Sequence, residues 1–379
     1  MNAAILRFTA TALLVLAPAL ATVMNASPAE AASGQSLSAT AGFTAGYDDN
    51  ILEYSDSQLR SFEAGTHPLR FAIQTTDDMI YSPSLALTWE LDEGRGRRHA
   101  LRIRGEGDSH AKNSIADFHS FSASWRESFR RDRRLSVGYF VLPDYYLRQL
   151  RDEDLPAALG DSRYRGARFD LQIATASWRQ RAGRGREAGL AYRFERRRYN
   201  PEFQERNAGL HEGDLSLDWT RLPRRGDVGL HAGYRVSSAQ ATDGDEVGGV
   251  RDDDDLSYHG LTAGIDGRME LARTGPWRLG GDLGYWLETR SYESTLPTDR
   301  YHFGRSDLLH AIEVGLRVGY RPHWAMRGSF RFEDNTAHLS TLAPPTSDSG
   351  SYRVNQVNLA LEWSGGLWHE APEPEEGEE

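Results

Sequence analysis

The chain has no cysteine among its 379 residues. That excludes a disulfide scaffold, a thiolate nucleophile and any cysteine-ligated zinc or iron–sulfur site. Lysine is almost missing as well: Lys112 stands alone, and arginine supplies the rest of the 44 basic residues. Beyond the first ~31 residues no stretch approaches the ~18 uncharged apolar residues of a spanning helix. Acidic residues outnumber basic ones 55 to 44, a net charge of -11. Such a balance argues against nucleic acid as a partner unless the charge is segregated. Charged residues at 26% and aromatics at 10% argue against wholesale disorder.

The beginning of the chain reads as an address. Arg7 is the only cation of the leader, residues 10–24 are mostly apolar with Pro18 near their middle, and Ala29-Glu30-Ala31 fits the small-residue cleavage rule. Residues 1–31 are therefore expected to be a secretory signal, and residues 32–363 to form the body. The Pro- and Glu-rich residues 364–379 are expected to form an acidic periplasmic tail.

Through the body, apolar residues recur at every second position. Leu85, Leu87, Trp89 and Leu91 share one face; Leu215, Leu217 and Trp219 oppose Asp214, Ser216 and Asp218; Ile312, Val314, Leu316 and Val318 oppose Glu313 and Arg317. Strict alternation over about ten residues is the mark of a strand with two unlike faces. The breaks between such segments alternate in length. Short ones fall at 92–98, 130–134, 179–187, 221–227, 272–276 and 321–323, and long ones at 48–81, 107–115, 143–163, 200–209, 239–255, 291–306 and 334–350. Six short and seven long breaks give about 14 strands with both chain ends on the short-turn side. Residues 69–75 also alternate, so they either fold inward as a constriction or add a strand pair, making about 16. Residues 145–159 have some helical character.

Aromatic placement agrees with a wall that crosses a membrane. Trp89, Trp125, Trp178, Trp219, Trp277, Trp324 and Trp363, seven of the nine tryptophans, stand beside short breaks or near the last strand's end. Amphipathic rings gather at a membrane interface, so these seven are expected to form a periplasmic girdle. Tyr47, Tyr81, Phe118, Tyr199, Tyr234, Tyr258, Tyr301 and Tyr352 mark the opposite strand ends. A soluble sandwich has the same alternation, but neither the tryptophan ring nor the even strand count with unequal turns. The fold class expected is an all-β, transmembrane, antiparallel up-and-down barrel.

Over nearly its whole length after the leader, the chain resembles Gram-negative outer-membrane β-barrel proteins. Val357-Asn358-Leu359-Ala360-Leu361-Glu362-Trp363 resembles the aromatic-ended last strand that the barrel assembly machinery reads, although this chain continues past it. Ala45-Gly46-Tyr47-Asp48-Asp49-Asn50-Ile51 resembles the end of the first strand in barrels of the surface lipoprotein assembly modifier and exopolysaccharide-export types. The resemblance implies residence in the outer membrane, contact with lipid and lipopolysaccharide, and a periplasmic export partner.

With apolar residues facing lipid, the lumen is expected to be lined by Arg102, Arg104, Glu106, Arg193, Glu195, Arg197, Asp266, Arg268, Arg278, Asp282, Glu313, Arg317, Arg327, Arg331 and Glu333. Such a lining suits either a wet conduit or a ladder of ion pairs that stiffens the wall. About 14 strands lie between a packed interior and an aqueous channel, so a loop can plug the pore. Asp243, Asp245 and Asp254 belong to a run that begins like a calcium loop, but Val247 and Arg251 occupy ligand positions. Asp48, Asp49, Asp77 and Asp78 form a second oxygen-rich group. No metal and no cofactor is expected. No G-x-S-x-G or H-E-x-x-H is present, and His211-Glu212 lacks a second histidine at Leu215. The function expected is a channel for small hydrophilic solutes or an exported saccharide, not an enzyme. The alternatives are a translocation or assembly barrel with a partner, and a non-conducting receptor or structural barrel.

Overall fold

A computed structural model describes residues 34–370 apart from residues 95, 130–131, 153–154, 223–225, 240–255, 295–298, 300–301 and 340–349. The leader, the run containing Asp243, Asp245 and Asp254, Tyr301 and the acidic residues 371–379 lie outside the described residues.

The alternating segments become β1 (Gly34–Asp48), β2 (Asp78–Asp92), β3 (Arg98–His110), β4 (Phe118–Phe129), β5 (Arg133–Arg151), β6 (Tyr164–Arg181) and β7 (Arg186–Tyr199). They continue as β8 (Ala208–Leu222), β9 (Gly226–Ala239), β10 (Tyr258–Thr274), β11 (Trp277–Tyr292), β12 (Ser306–Tyr320), β13 (Trp324–His338) and β14 (Tyr352–Glu370). Each strand pairs antiparallel with its neighbours in sequence, and β1 pairs with β14 to close the ring. Closure leaves no unpaired edge, which is the condition for a sheet to lie in lipid.

Period-two alternation sorts the side chains into two faces. Leu283, Val314, Phe330 and Val357 are paired along one row of four strands, and their exposures are 53%, 47%, 41% and 54%. Rows of this kind encircle the barrel, a surface far larger than the few hundred Å² of apolar patch that soluble monomers show. Lipid, not water, is the medium such a wall fits. The opposite face carries ion pairs that reach over an intervening strand. Arg327 on β13 pairs with Asp282 on β11, and Arg179 on β6 lies 3.1 Å from Asp218 on β8. Only on the concave side do side chains converge enough for that. Gly315 of β12 sits directly opposite Asp282, and a Cβ there would collide with that carboxylate, so the bridge to Arg327 needs a glycine beneath it.

Several boundaries differ from expectation. β14 runs on to Glu370, because β1 begins at Gly34 and Gln35 to Leu37 pair with residues 368–370; strand pairing thus takes in residues assigned to the tail. β5 continues to Arg151 through the expected loop at 143–163, with irregularities between Leu142 and Tyr145 and between Tyr146 and Arg148. Pro143 has no N–H to give the ladder, and Asp144 takes a left-handed φ of 50° with its N–H on Asp170. Of the helical character at 145–159 only a 3₁₀ segment at Ala157–Arg163 exists. Residues 69–75 add no strand. His67 at φ 54° and the 3₁₀ turn Pro68–Arg70 break the alternation, and the ring holds 14 strands, not 16.

Candidate functional site

The loop between β1 and β2, residues 49–77, folds into the outer end of the barrel. It starts at the Tyr47–Ile51 segment. Asp48 accepts the Asn50 N–H at 2.8 Å and the Gln356 side-chain amide at 2.7 Å. Asp49 accepts both the Asn355 backbone N–H and its side-chain amide at 2.7 Å. The Asn50 amide donates to the Tyr54 and Arg353 carbonyls, and its oxygen takes the Tyr54 N–H at 2.8 Å. The motif thus latches the β1–β14 seam and turns the chain inward. These carboxylates bond to amides, as does that of Asp78, which takes the Lys112 and Asn113 N–H groups. Among the described residues no group of three or more acidic or histidine side chains is placed to hold an ion.

Inside, α1 (Asp56–Glu63) is started by a reciprocal cap: Ser55 Oγ takes the Gln58 N–H and Gln58 Oε1 takes the Ser55 N–H. Leu52, Tyr54, Ile73 and Tyr146 make a buried apolar cluster, with Ile51, Leu59, Phe62, Phe71 and Ile115 around it. Arg148 of β5 secures the loop, donating to the Leu52 carbonyl at 2.7 Å while its guanidinium lies 5.3 Å from the Tyr54 ring centre.

Glu53, at a left-handed φ of 52°, projects from this loop amid charges from several walls. Arg148, Arg290, Glu333 and Tyr352, on β5, β11, β13 and β14, all act on it. In a ring of 14 strands β5 and β12 are diametrically opposite, so the loop reaches across the lumen. Crowding by the surrounding wall, which withdraws solvent from the Glu53 carboxyl, pushes it above its ordinary range, and Glu333 adds to that; Arg148, Tyr352 and Arg290 oppose it.

By strand register the fifteen residues expected in the lumen share the face opposite the exposed apolar rows. They are not equivalent. Glu195 lies between Arg193 and Arg197 at 2.6 Å from each, Arg104 meets Glu106, Arg331 meets Glu333 at 2.6 Å, and Arg327 holds both Asp282 and Glu313. Arg317 lies 3.4 Å from Glu362. Arg102, Arg268, Arg278 and Asp266 have no ion-pair partner among the described residues. Arg235 bridges Glu212 at 3.1 Å and Glu288 at 2.6 Å and carries this ladder from β8 to β11. Its alternation with Tyr234 and Val236 puts it on the charged side of β9.

The seven tryptophans all lie on the outward face toward the short-turn end. Trp277, Trp324 and Trp363 share one row with Tyr320. Trp368, 47% exposed, extends that belt beyond the expected end of β14, whereas Trp286 turns inward under Arg331. At the long-loop end Tyr47, Tyr81 and Tyr234 are exposed outward. Phe118, Tyr199, Tyr258 and Tyr352 face the lumen instead, because each shares register with the charged side of its strand.

A cavity lies at each end of the barrel. At the short-turn end a basin of about 1050 Å³ is lined by Arg98, Arg126, Arg134, Arg179, Asp92 and Glu187 among others. At the long-loop end a smaller cavity of about 240 Å³ lies against Glu53 and Tyr54.

The class follows from the wall: a closed, antiparallel, up-and-down 14-stranded β-barrel with an apolar exterior and a charged interior. No family model and no curated protein matches the chain. Solved structures match along most of it. A bacterial polysaccharide outer membrane secretin shares 11% identity over 85% of this chain and 97% of its own, with a TM-score of 0.44. An anion-selective porin from Comamonas acidovorans shares 11% over 88% and 100%, at 0.41. The outer membrane channel DcaP of Acinetobacter baumannii shares 10% over 89% and 99%, at 0.44. Likeness at this level does not carry over what those proteins bind or pass.

Proposed function

We propose that the protein is a channel of the Gram-negative outer membrane, passing small hydrophilic solutes or an exported saccharide along a lumen of arginine and carboxylate groups. The carrying observation is the combination of a lipid-compatible exterior with an inward face whose charges remain partly solvated; Arg327, Arg193 and Arg331 are between 37% and 40% exposed. A lumen built only for stiffness has no need of unpaired cations such as Arg102 and Arg268. The tryptophan belt at the short-turn end is then the periplasmic girdle, lipopolysaccharide contacts the other end, and the barrel assembly machinery inserts the chain. Passage through such a pore needs no chemistry, and selectivity comes from width and wall charge. Replacing Arg327 and Arg331 together by Gln leaves Asp282, Glu313 and Glu333 uncompensated, so the reversal potential in a salt gradient moves toward cation preference. An unchanged reversal potential counts against ions passing that wall.

One observation favours a second reading. The apolar cluster around Leu52 and Tyr54 stands inside the outer end. A loop held that firmly also suits a non-conducting receptor, and absence of current from a folded barrel would select it.

A further inference from the structure

We propose that the outer cavity beside the inward loop is a binding site for a small organic oxyanion, a solute bearing a carboxylate or phosphate group. The inference deepens the channel reading by naming a solute class, but its test does not depend on conduction.

The cavity, about 240 Å³, draws arginines from four separate segments: Arg70 from the loop, Arg148 and Arg151 from β5, Arg206 from the β7–β8 connection, and Arg305 just before β12. Glu53 is the sole carboxylate in its lining among the described residues. Two of these cations already have anionic neighbours, Arg305 at 2.7 Å from Asp307 and Arg206 at 3.8 Å from Glu205. Arg148 and Arg151 have no carboxylate partner among the described residues, and the Nε of each is buried with no acceptor. Guanidinium groups that line a cavity without an ion-pair partner have charge that an anionic solute completes.

Their orientation suits that role. Arg148 lies against the Tyr54 ring and Arg151 lies 5.8 Å from the centre of the Tyr164 ring, so aromatic contacts hold both guanidinium groups beside the cavity. Planar forks of this kind take carboxylate or phosphate oxygens in pairs. Tyr54, 1% exposed, adds a hydroxyl with no hydrogen-bond partner in the same lining. Glu53 is the counterweight: it repels an entering anion, and its raised carboxyl allows it to become neutral more readily than an ordinary glutamate.

Isothermal titration of the refolded barrel in detergent at low ionic strength, with D-glucuronate, glucose 6-phosphate and glucose as probes, tests the site. Saturable binding of either anion, with none for glucose, is expected; which anion binds identifies the group recognised. Arg151→Gln, which removes no bond to the loop, weakens that binding about tenfold. Glu53→Gln strengthens it about threefold, a gain that a merely structural role for these arginines does not produce. Equal binding of glucose, no binding of either anion, or affinity unchanged in both variants overturns the proposal. Anion binding by a barrel that passes no current keeps the site and removes the channel; current without anion binding does the reverse.

Discussion

The two ends of the lumen use the same residue types in different ways. Toward the short turns the interior is a basin in which carboxylates and arginines pair across strands, as Arg134 does with Glu187 and Arg179 with Asp218. Toward the long loops the interior holds a folded segment with its own apolar cluster and capped helix, and beside it guanidinium groups without carboxylate partners. Ion pairs line the wall toward both ends, as Arg193 and Arg197 with Glu195 and Arg235 with Glu212 and Glu288 show toward the long loops, so what distinguishes that end is the packed loop and the arginine-lined cavity beside it. Barrels narrow where the interior is filled, so the loop, not the wall, sets the width.

Deleting residues 51–75 and joining the ends with a short Gly/Ser linker should produce the largest change. Single-channel conductance should rise several-fold, because the filled outer end becomes as wide as the inner one; an unchanged step size would place the constriction elsewhere. Next in size is Leu52→Ala, which opens a void in the loop cluster and costs about 2–5 kcal/mol of local stability. Hydrogen exchange should speed up in residues 50–75 while strand amides stay protected. Comparable loss in β9–β12 would mean that loop and wall do not fold as separate units.

The same contrast explains what could be read in advance. The wall repeats one rule, an apolar face against a charged one, so the strand number followed from parity and turn spacing alone. Fourteen repetitions average out local exceptions. The loop has no repeat to read. Its fold depends on contacts between Leu52, Ile73 and Tyr146, residues brought together only by the closed ring. The pattern Ser55-x-x-Gln58 was a visible helix start and passed unused. The alternation of Leu69 to Thr75 suggested a strand, yet Phe71 packs edge-on against Tyr54 and Phe62 instead of a neighbouring ladder. The aromatics at the long-loop strand ends divide between the two faces because proximity to a strand end does not specify a face; Tyr258 shares parity with Asp266 and Arg268, and that parity was legible.

A smaller effect probes the ion-paired wall. Gly315→Ala places a Cβ against Asp282 and displaces it from Arg327, at a cost of about 1–3 kcal/mol. The melting temperature should fall and the Arg327→Gln variant should lose most of its own effect in that background. Additive losses would show that the glycine serves another purpose. The smallest expected effect concerns pH. The Glu53 carboxyl is raised in the folded loop, so the folded state binds the proton more tightly than the unfolded chain does. This contribution is fully present below the ordinary glutamate value and is lost as pH rises through the raised one. Exchange within residues 50–75 should therefore quicken over that interval in the native protein and stay flat in Glu53→Gln. The opposite slope would mean that the arginines around Glu53 outweigh the crowding by the wall.

The central claim is that a charged, water-filled lumen runs through this barrel past the inward loop. Recording single-channel currents from the refolded chain in a planar bilayer tests it most directly. Discrete, reproducible steps with a reversal potential set by the wall charges are the predicted result. A correctly folded barrel that stays silent over a wide voltage range would contradict it.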